Sequence, residues 1–306
     1  MEASNIIYKK GHKKFQLKNL VYFLIIGVIL TAFVIITVYP ILNTLAISFN
    51  DALDALRGGI YLWPRKWSLN NYSTVLHKES MITGLCISVL RTVVGTVLQL
   101  STTALIAFVL SRKKFIFSKP ISVLYVLTMY VNGGLIPTFL LYRNLGFMNS
   151  FWVYVIPGMV SAFNMLVIRT YMNGLPDSLE ESAMIDGAGY FKIFTRIIVP
   201  LCKPVFATIA LFIAVGQWNS WFDNMLYNRM ADNLTTLQYE LMKLLSSVSQ
   251  LSGDPNTAAL TGSSAQVTTK SVRAAATVLT SLPVVALYPF LQRYFVTGLT
   301  IGGVKE

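Results

Sequence analysis

The chain has 306 residues, of which 54% are apolar and 12% are charged, and it carries a formal net charge of +12 at pH 7. A soluble domain contains about 25% charged residues and has too little interior to bury so much apolar surface. The composition argues against a soluble enzyme, a disordered tail or a secreted disulfide scaffold. It predicts an all-α membrane protein whose excess of basic residues reflects membrane orientation rather than nucleic-acid binding.

Six apolar runs reach the roughly 20 residues that a membrane-spanning helix needs. The first, residues 19–40, follows a basic head at residues 1–18. It could be a cleaved signal peptide, but its apolar core is longer than that of a signal peptide and favours a retained helix. Asn132-Gly133-Gly134 interrupts the third span. The five later spans are expected at Ile82–Leu110, Ile121–Tyr142, Phe151–Met172, Pro204–Phe222 and Ala275–Val296.

The charge of the connecting segments alternates along the chain. The head at 1–18 carries five lysines, and residues 111–120 carry four basic residues and no acid, whereas the 41–81 loop and the 223–274 segment mix both signs. Cytoplasmic loops of membrane proteins are enriched in lysine and arginine. The pattern predicts that both termini and the 173–203 connection lie in the cytoplasm, and that the two mixed segments are external.

The external 223–274 segment contains one stretch with helical periodicity, Leu234–Val248. Its leucines recur at helical spacing, at positions 237, 241, 244 and 245. We expect an amphipathic helix that lies on the outer surface or caps the bundle.

The motifs of nucleotide binding and catalysis are missing from the sequence. It contains no P-loop, no H-E-x-x-H and no G-x-S-x-G. Its two cysteines, Cys86 and Cys202, have no partners at metal-binding spacing. We therefore expect a protein that binds no metal or cofactor and catalyses no reaction itself.

The stretch from Pro176 to Pro200, PDSLEESAMIDGAGYFKIFTRIIVP, predicts two short cytoplasmic helices joined by a turn. Ser178 and Glu181 have the spacing of a capping box, which would begin the first helix near Leu179. Glycines at 187 and 189 would end it with a left-handed cap. A second helix is expected at Tyr190–Ile198, with Pro200 in the first turn of the fifth span.

One face of the first helix carries small side chains in its middle. Leu179, Ser182, Ala183 and Asp186 fall on this face. Such a face would let the backbone lie deep in a groove of another protein. An ordinary amphipathic connector with a good cap explains the same pattern equally well.

The spacing within this loop resembles the E-A-A motif of permease subunits of binding-protein-dependent ABC importers. Here the motif reads Glu181-Ser182-Ala183, then Gly187, then Ile197-Ile198-Val199-Pro200, with Ser182 in place of alanine and Val199 in place of leucine. The flanks resemble the sugar-importing branch, including L-E-E-S-A-M-I-D-G-A and Gln217-Trp218-Asn219-Ser220-Trp221. Residues 80–306 are most similar to the second permease of the maltose type. The Gram-positive subgroup for complex oligosaccharides, such as pectin fragments, is the most similar of these.

The resemblance implies the type I ABC importer permease fold in a multi-pass protein of the bacterial cell membrane. Residues 82–296 would form a five-helix core that follows the first span. The expected partners are a second permease in a heterodimer, two copies of an ABC ATPase and an extracytoplasmic sugar-binding protein. ATP and magnesium would be bound by the ATPase. The chain would carry oligosaccharides and hydrolyse nothing.

The resemblance also assigns residues to the coupling with the ATPase. The loop at 176–200 would be the coupling helix and its turn, and the tail at 297–306 could reach between the two ATPases or be a flexible end. The expected coupling residues are Glu181, Ser182, Ala183, Asp186, Gly187 and Pro200, and those of the tail are Gly302, Gly303 and Lys305.

Polar and aromatic groups at membrane depth are candidates for the substrate path, because such groups usually face a cavity or a partner. They are Asn132, Asn164, Gln217, Trp218, Asn219 and Trp221. Contacts between helices and an interfacial aromatic belt are the alternative roles.

A stand-alone secondary transporter or channel is the alternative function. It predicts ionisable pairs inside the spans, and only Arg91 clearly lies within one. Arg91 could extend to the interface, pair with an acid or bind the partner. An intramembrane enzyme lacks a catalytic constellation at depth, and a membrane scaffold would tolerate deletion of the E-A-A loop.

Overall fold

A computed structural model of the chain describes residues 17–251, 270–287 and 289, and these residues are helical with short connections. The helices are α1 Leu17–Ser48, α2 Ala52–Leu56, α3 Asn70–Leu76, α4 Glu79–Ser111, α5 Ser118–Tyr130, α6 Leu135–Asn144, α7 Ala162–Asn173, α8 Ser178–Ile185, α9 Tyr190–Ile193, α10 Val199–Leu201, α11 Lys203–Asn219, α12 Phe222–Tyr227, α13 Leu237–Leu251 and α14 Lys270–Leu287. The all-α prediction is confirmed for this part of the chain.

Among the described residues, three helices are long and apolar enough to cross a membrane. Three pairs of shorter helices are each joined at a bend, and counting each pair as one span raises the number to six. Helix α1 does not end at Pro40 as expected, but continues to Ser48. A proline removes one hydrogen bond without stopping a helix whose flanks are strongly apolar. Helix α14 begins at Lys270, five residues before the predicted start, and residues 288 and 290–296 of the predicted span lie outside the described part.

The bent pairs break where the sequence removes backbone hydrogen bonds or permits unusual dihedrals. Helices α5 and α6 meet at 116° across residues 131–134, where the Asn132 side-chain oxygen accepts a hydrogen bond from the Gly134 N–H at 2.9 Å. The segment from Tyr190 to Leu201 meets α11 at 82°. Pro200 therefore lies in α10, before this bend, and not in the first turn of α11, which begins at Lys203.

Helix α4 is the central element and packs against α7, α11 and α13. On its C-terminal half, Ala104, Ala107 and Phe108 join the main core with residues of α7 and α11 such as Ile168 and Ile209. In contrast, the apolar side chains of α1 are exposed over most of its length. The bundle is thus organised around the second span rather than the first.

The amphipathic helix predicted in the external segment is α13, which caps the bundle. Leu237 and Leu241 are buried, and Leu244 and Leu245 pack against the same cluster, which also contains Trp218. The confirmed helix begins three residues later than the predicted stretch.

A buried carboxylate anchors the beginning of α13. Glu240 is 1% exposed and accepts hydrogen bonds from Ser80 at 3.1 Å and Thr235 at 3.0 Å, with Lys243 as a close ion-pair partner. Burial alone would raise the pKa of Glu240, but Lys243 and the two hydroxyls outweigh it and hold the pKa below its ordinary value. The carboxylate therefore stays ionised and ties α13 to the start of α4.

Candidate functional site

Helix α8 is the helix that the E-A-A spacing predicted on the cytoplasmic side, but its beginning differs from the expected capping box. It starts at Ser178, and Asp177 occupies the capping position in a helical conformation with no side-chain cap. Glu180 and Glu181 lie in its first turn, where negative charge is favourable at the positive end of the helix dipole. The acidic residues thus stabilise the start through charge.

The end of α8 follows the prediction closely. Gly187 has φ +75° and donates to the Met184 carbonyl at 3.0 Å, while the Ala188 N–H donates to the Ala183 carbonyl at 2.9 Å. This pair of bonds is a Schellman motif, which needs a left-handed residue at the position of Gly187. A Cβ at Gly187 would meet open space, so the requirement concerns the backbone alone.

The two faces of α8 are unlike. Glu181, Ser182 and Asp186 are exposed, whereas Ala183 is 9% exposed and belongs to the chain's own core. The small side chain of Ala183 therefore lets α8 approach its own bundle, and not a groove elsewhere.

Two large apolar residues that the sequence interpretation did not select project from this region. Ile185 is 86% exposed and Phe191 is 74% exposed, on either side of the Gly187 turn. The available signal in the sequence was that the spacing of these two apolar residues fits no buried helical face. Together with the exposed residues Glu181, Ser182 and Asp186, they form the solvent-exposed surface of the loop, called its outer surface.

Two ion pairs join the beginning of α8 to the C-terminal end of α4. Arg112 pairs with Glu180, and Lys113 pairs with Asp177. Arg112 also donates to the Ser111 hydroxyl at 2.9 Å, and its guanidinium lies 4.6 Å from the centre of the Phe108 ring. A displacement of α8 would therefore pull on the longest described helix of the core.

A second site is a cavity of about 640 Å³ between α4, α7 and α11, and its lining includes residues that the sequence predicts at membrane depth (the membrane-depth cavity). Aromatic, amide and hydroxyl groups dominate its wall. Its ionisable pair consists of Arg91 and Asp223, and its other lining residues include Gln99, Thr138, Tyr142, Tyr154, Phe163, Asn164, Phe212, Gln217, Ser220 and Tyr227.

Arg91 is 2% exposed and is fully engaged by hydrogen bonds. It pairs with the Asp223 carboxylate at 2.6 and 3.2 Å, contacts the Gln217 side-chain oxygen at 3.0 and 3.2 Å, and reaches the Ser220 carbonyl at 3.4 Å. Its guanidinium lies 4.4 Å from the centre of the Tyr154 ring. Of the three roles considered for Arg91, pairing with an acid is the one observed.

The approach of α4 to α11 depends on Gly95. A Cβ at this position would lie 2.9 Å from the Gln217 side chain. That side chain cannot move freely, since it also donates to the Tyr154 carbonyl at 3.3 Å and accepts from Arg91. Gly95 therefore makes room for the polar network.

The candidates for the substrate path are only partly brought together. Asn164 and Gln217 line the cavity. Trp218 lies in the interior cluster under α13, where its indole N–H donates to the Thr280 carbonyl at 2.8 Å. Asn132 and Asn219 are exposed, and Trp221 packs edge-to-face on Phe222 outside the cavity wall.

Asp223 is the important residue that the sequence interpretation missed. It follows the fifth span directly, but it was counted among the mixed charges of the external segment. The useful signal was Arg91 itself, because an arginine in an apolar span needs a nearby carboxylate. The tail residues Gly302, Gly303 and Lys305 lie outside the described residues, and within these no cluster of His, Cys, Asp or Glu could hold a metal ion.

Comparison with known proteins decides the family. Residues 100–222 match the model of the binding-protein-dependent transport system inner membrane component. The polygalacturonan/rhamnogalacturonan transport system permease protein YtcP of Bacillus subtilis is 33% identical over 290 residues, covering 94% of this chain and all of the relative. This chain belongs to that permease family. The resemblance inferred from the E-A-A loop is confirmed, and the family consists of transport permeases and not of enzymes.

Further relatives extend this finding to the fold. The arabinooligosaccharides transport system permease protein AraQ of Halalkalibacterium halodurans is 30% identical over 292 residues, or 93% of this permease and 96% of the relative. A chain in the crystal structure of a bacterial ABC transporter that imports the acidic polysaccharide alginate superposes with a TM-score of 0.82 at 28% identity. The match covers 92% of this permease and 99% of that chain. The permease therefore has the ABC importer permease fold.

Proposed function

We propose that this permease forms half of the translocation path of an ATP-driven importer for oligosaccharides in the bacterial cell membrane. It would span the membrane six times, with both termini and α8 in the cytoplasm. The alternation of loop charge supports this orientation, as does the placement of Arg112 and Lys113 beside α8.

The proposed partners are a second permease, two ABC ATPases and an extracytoplasmic sugar-binding protein. The observation that carries this assembly is the outer surface of the α8 loop, which presents Glu181, Ile185 and Phe191 to a missing partner. ATP and magnesium belong to the ATPases. The Gly187 turn fixes the direction of this surface, and Glu181, Ser182, Asp186 and Gly187 provide the coupling contact.

The same contacts suggest how motion reaches the membrane. When the ATPases close, α8 moves with them, and the Arg112–Glu180 and Lys113–Asp177 pairs transmit the displacement to α4. Arg91 lies in the N-terminal half of α4, so the displacement acts on one wall of the cavity. Alternating access then follows from rigid-body movement of the two permeases against one another.

The proposed substrate is an acidic oligosaccharide such as a pectin fragment, by analogy with the relatives described above. The cavity wall offers aromatic faces for sugar rings, together with Asn164 and Gln217 for hydroxyl groups. Because Arg91 and Asp223 neutralise each other, this subunit would recognise hydroxyls and ring faces. Recognition of the carboxylates would then fall to the second permease or the binding protein.

The test is to purify the tagged permease from its native membrane, identify the associated chains and reconstitute them in vesicles. We expect a second permease and an ATPase, and ATP-dependent uptake of oligogalacturonate that requires the binding protein. Maltodextrin, arabino-oligosaccharides and galacto-oligosaccharides provide the comparison substrates. Uptake of a neutral oligosaccharide in place of oligogalacturonate would contradict the substrate proposal but not the importer.

A stand-alone secondary transporter or channel is the alternative, and the buried Arg91–Asp223 pair is the observation in its favour. The permease would then purify without partners and move solute in vesicles without ATP. This result would support the alternative and contradict the importer proposal. The full engagement of Arg91 favours a structural role for the pair over ion coupling, since none of its donors is left for a transported ion or substrate.

A further inference from the structure

A second cavity, of about 650 Å³, lies among the cytoplasmic ends of the core helices. Its size falls within the range of about 300–1,000 Å³ that is usual for small-molecule sites. The end of α4, the start of α5, the end of α7 and the start of α8 enclose it. It is distinct from the membrane-depth cavity and plays no part in the transport path proposed above.

The charges around this second cavity do not balance. Two carboxylates line it, Asp177 and Glu180, and each is paired with a cation, Lys113 and Arg112 respectively. The wall also carries Lys119 and Arg169, for which no carboxylate partner occurs among the residues described. The cavity therefore has two uncompensated positive charges.

Arg169 is held in place as a donor. One of its terminal nitrogens donates to the Ser122 hydroxyl at 2.6 Å and the other to the Ser118 hydroxyl at 3.2 Å. Its Nε is buried and, within the described part of the chain, has no hydrogen-bond partner. An unpaired buried donor leaves the charge of Arg169 only partly compensated, and this favours an anion beside the guanidinium.

Much of the remaining wall is apolar, and these apolar side chains indicate the class of ligand. Phe115, Ile116, Leu175 and Leu179 line the cavity beside the two cations, and Ile116 is 87% exposed. An inorganic anion would satisfy the cations and leave these side chains uncovered. A ligand with both an anionic group and acyl chains would satisfy both parts of the wall.

We propose that this cavity binds a phosphate ester, namely the headgroup of an anionic phospholipid from the inner leaflet. Arg169 and Lys119 would hold the phosphate, because a guanidinium and an ammonium are suited to phosphate oxygens. The acyl chains would lie along Phe115 and Ile116.

The test measures phosphatidylglycerol that remains bound to the purified importer complex after reconstitution in nanodiscs of phosphatidylglycerol and phosphatidylcholine. Quantitative mass spectrometry of the lipids gives the readout. Changing Lys119→Gln should reduce retained phosphatidylglycerol about fivefold, the ratio expected for one cation at a membrane surface. Arg169→Gln should reduce it at least as much.

Arg196→Gln is the matched control, because Arg196 is an exposed cation of the same cytoplasmic region that does not line the cavity. It should leave retention unchanged. Equal retention in all the variants, or an equal loss in Arg196→Gln, would overturn the proposal. Lys119 is exposed, so its variant tests the site even if Arg169→Gln does not fold.

A final experiment distinguishes a bound phospholipid from a soluble phosphate compound. Millimolar inorganic phosphate is added to the wild-type complex in nanodiscs that contain phosphatidylglycerol. We expect retention to be unaffected, because free phosphate cannot cover the apolar wall. If inorganic phosphate displaces the lipid and binds in its place, the site belongs to a soluble phosphate ester and the lipid assignment is wrong.

Discussion

The predicted coupling loop, residues 176–200, and the membrane-depth cavity differ in how far apart their residues lie in the chain and in how deeply these residues are buried. Helix α8 and its turn come from 11 consecutive residues, 178–188, and the ion pair at Asp177 is largely exposed, with the lysine side chain 80% and the aspartate 61% accessible. The cavity network joins Arg91, Tyr154, Gln217 and Asp223, up to 132 positions apart, and Arg91 is 2% exposed. The loop of α8 therefore depends on backbone geometry, and the cavity depends on buried charge.

The strongest way to test this contrast is to leave Arg91 without its carboxylate. Asp223→Ala should destabilise the permease by about 3–5 kcal/mol, because an unpaired buried charge has no compensation. Thermal unfolding of the purified complex measures the loss. The double variant Arg91→Gln with Asp223→Asn should recover much of the stability. A single variant as stable as wild type would mean that the pair is solvated and the contrast is false.

The second prediction concerns the space inside the network. Gly95→Val should cost about 1–3 kcal/mol through overpacking, because the Gln217 side chain is fixed by Arg91 and Tyr154. Uptake should fall together with stability, measured on the same preparation. Gly27→Val on α1 is the control, since a Cβ there meets nothing within 4 Å. Equal effects at the two glycines would show that space at Gly95 is not limiting.

The third prediction tests the backbone requirement of the coupling loop. Gly187→Val should cost about 1–2 kcal/mol of local stability, because a side chain disfavours the left-handed conformation. The ATPase should bind about tenfold more weakly, which is measurable by titrating ATPase onto the permease pair. Gly189→Val is the control, since Gly189 has φ −76°. If both variants bind the ATPase normally, the turn does not direct the coupling surface.

The smallest effect is expected at the exposed pair of the coupling loop. Asp177→Asn should change the stability by no more than about 1 kcal/mol, because exposed ion pairs contribute little and are screened by salt. Unfolding of this variant and of Asp223→Asn under the same conditions provides the direct comparison. A loss at Asp177 as large as that at Asp223 would remove the distinction between the two regions.

Much of the fold could be predicted because its signals are local. The apolar runs located the long helices and the bent helix pairs, Asn132-Gly133-Gly134 marked the break between α5 and α6, and the leucine spacing identified α13. The exact ends of the helices were less predictable. Pro40 and Pro200 were expected near the boundaries of spans, yet each lies within or beside a continuing helix, because packing and membrane insertion outweigh the loss of one hydrogen bond.

Sequence patterns alone were sufficient for the family, for the helix and turn at residues 178–188 and for the left-handed conformation of Gly187. Each of these depends on residues close together in the chain, and backbone geometry at a turn follows from the residues that form it. The three-dimensional arrangement was needed to show that Asp223 is the partner of Arg91, that Trp218 lies in the interior and that Ala183 faces its own bundle. Burial and charge pairing depend on which segments meet in space, and helical periodicity does not determine this.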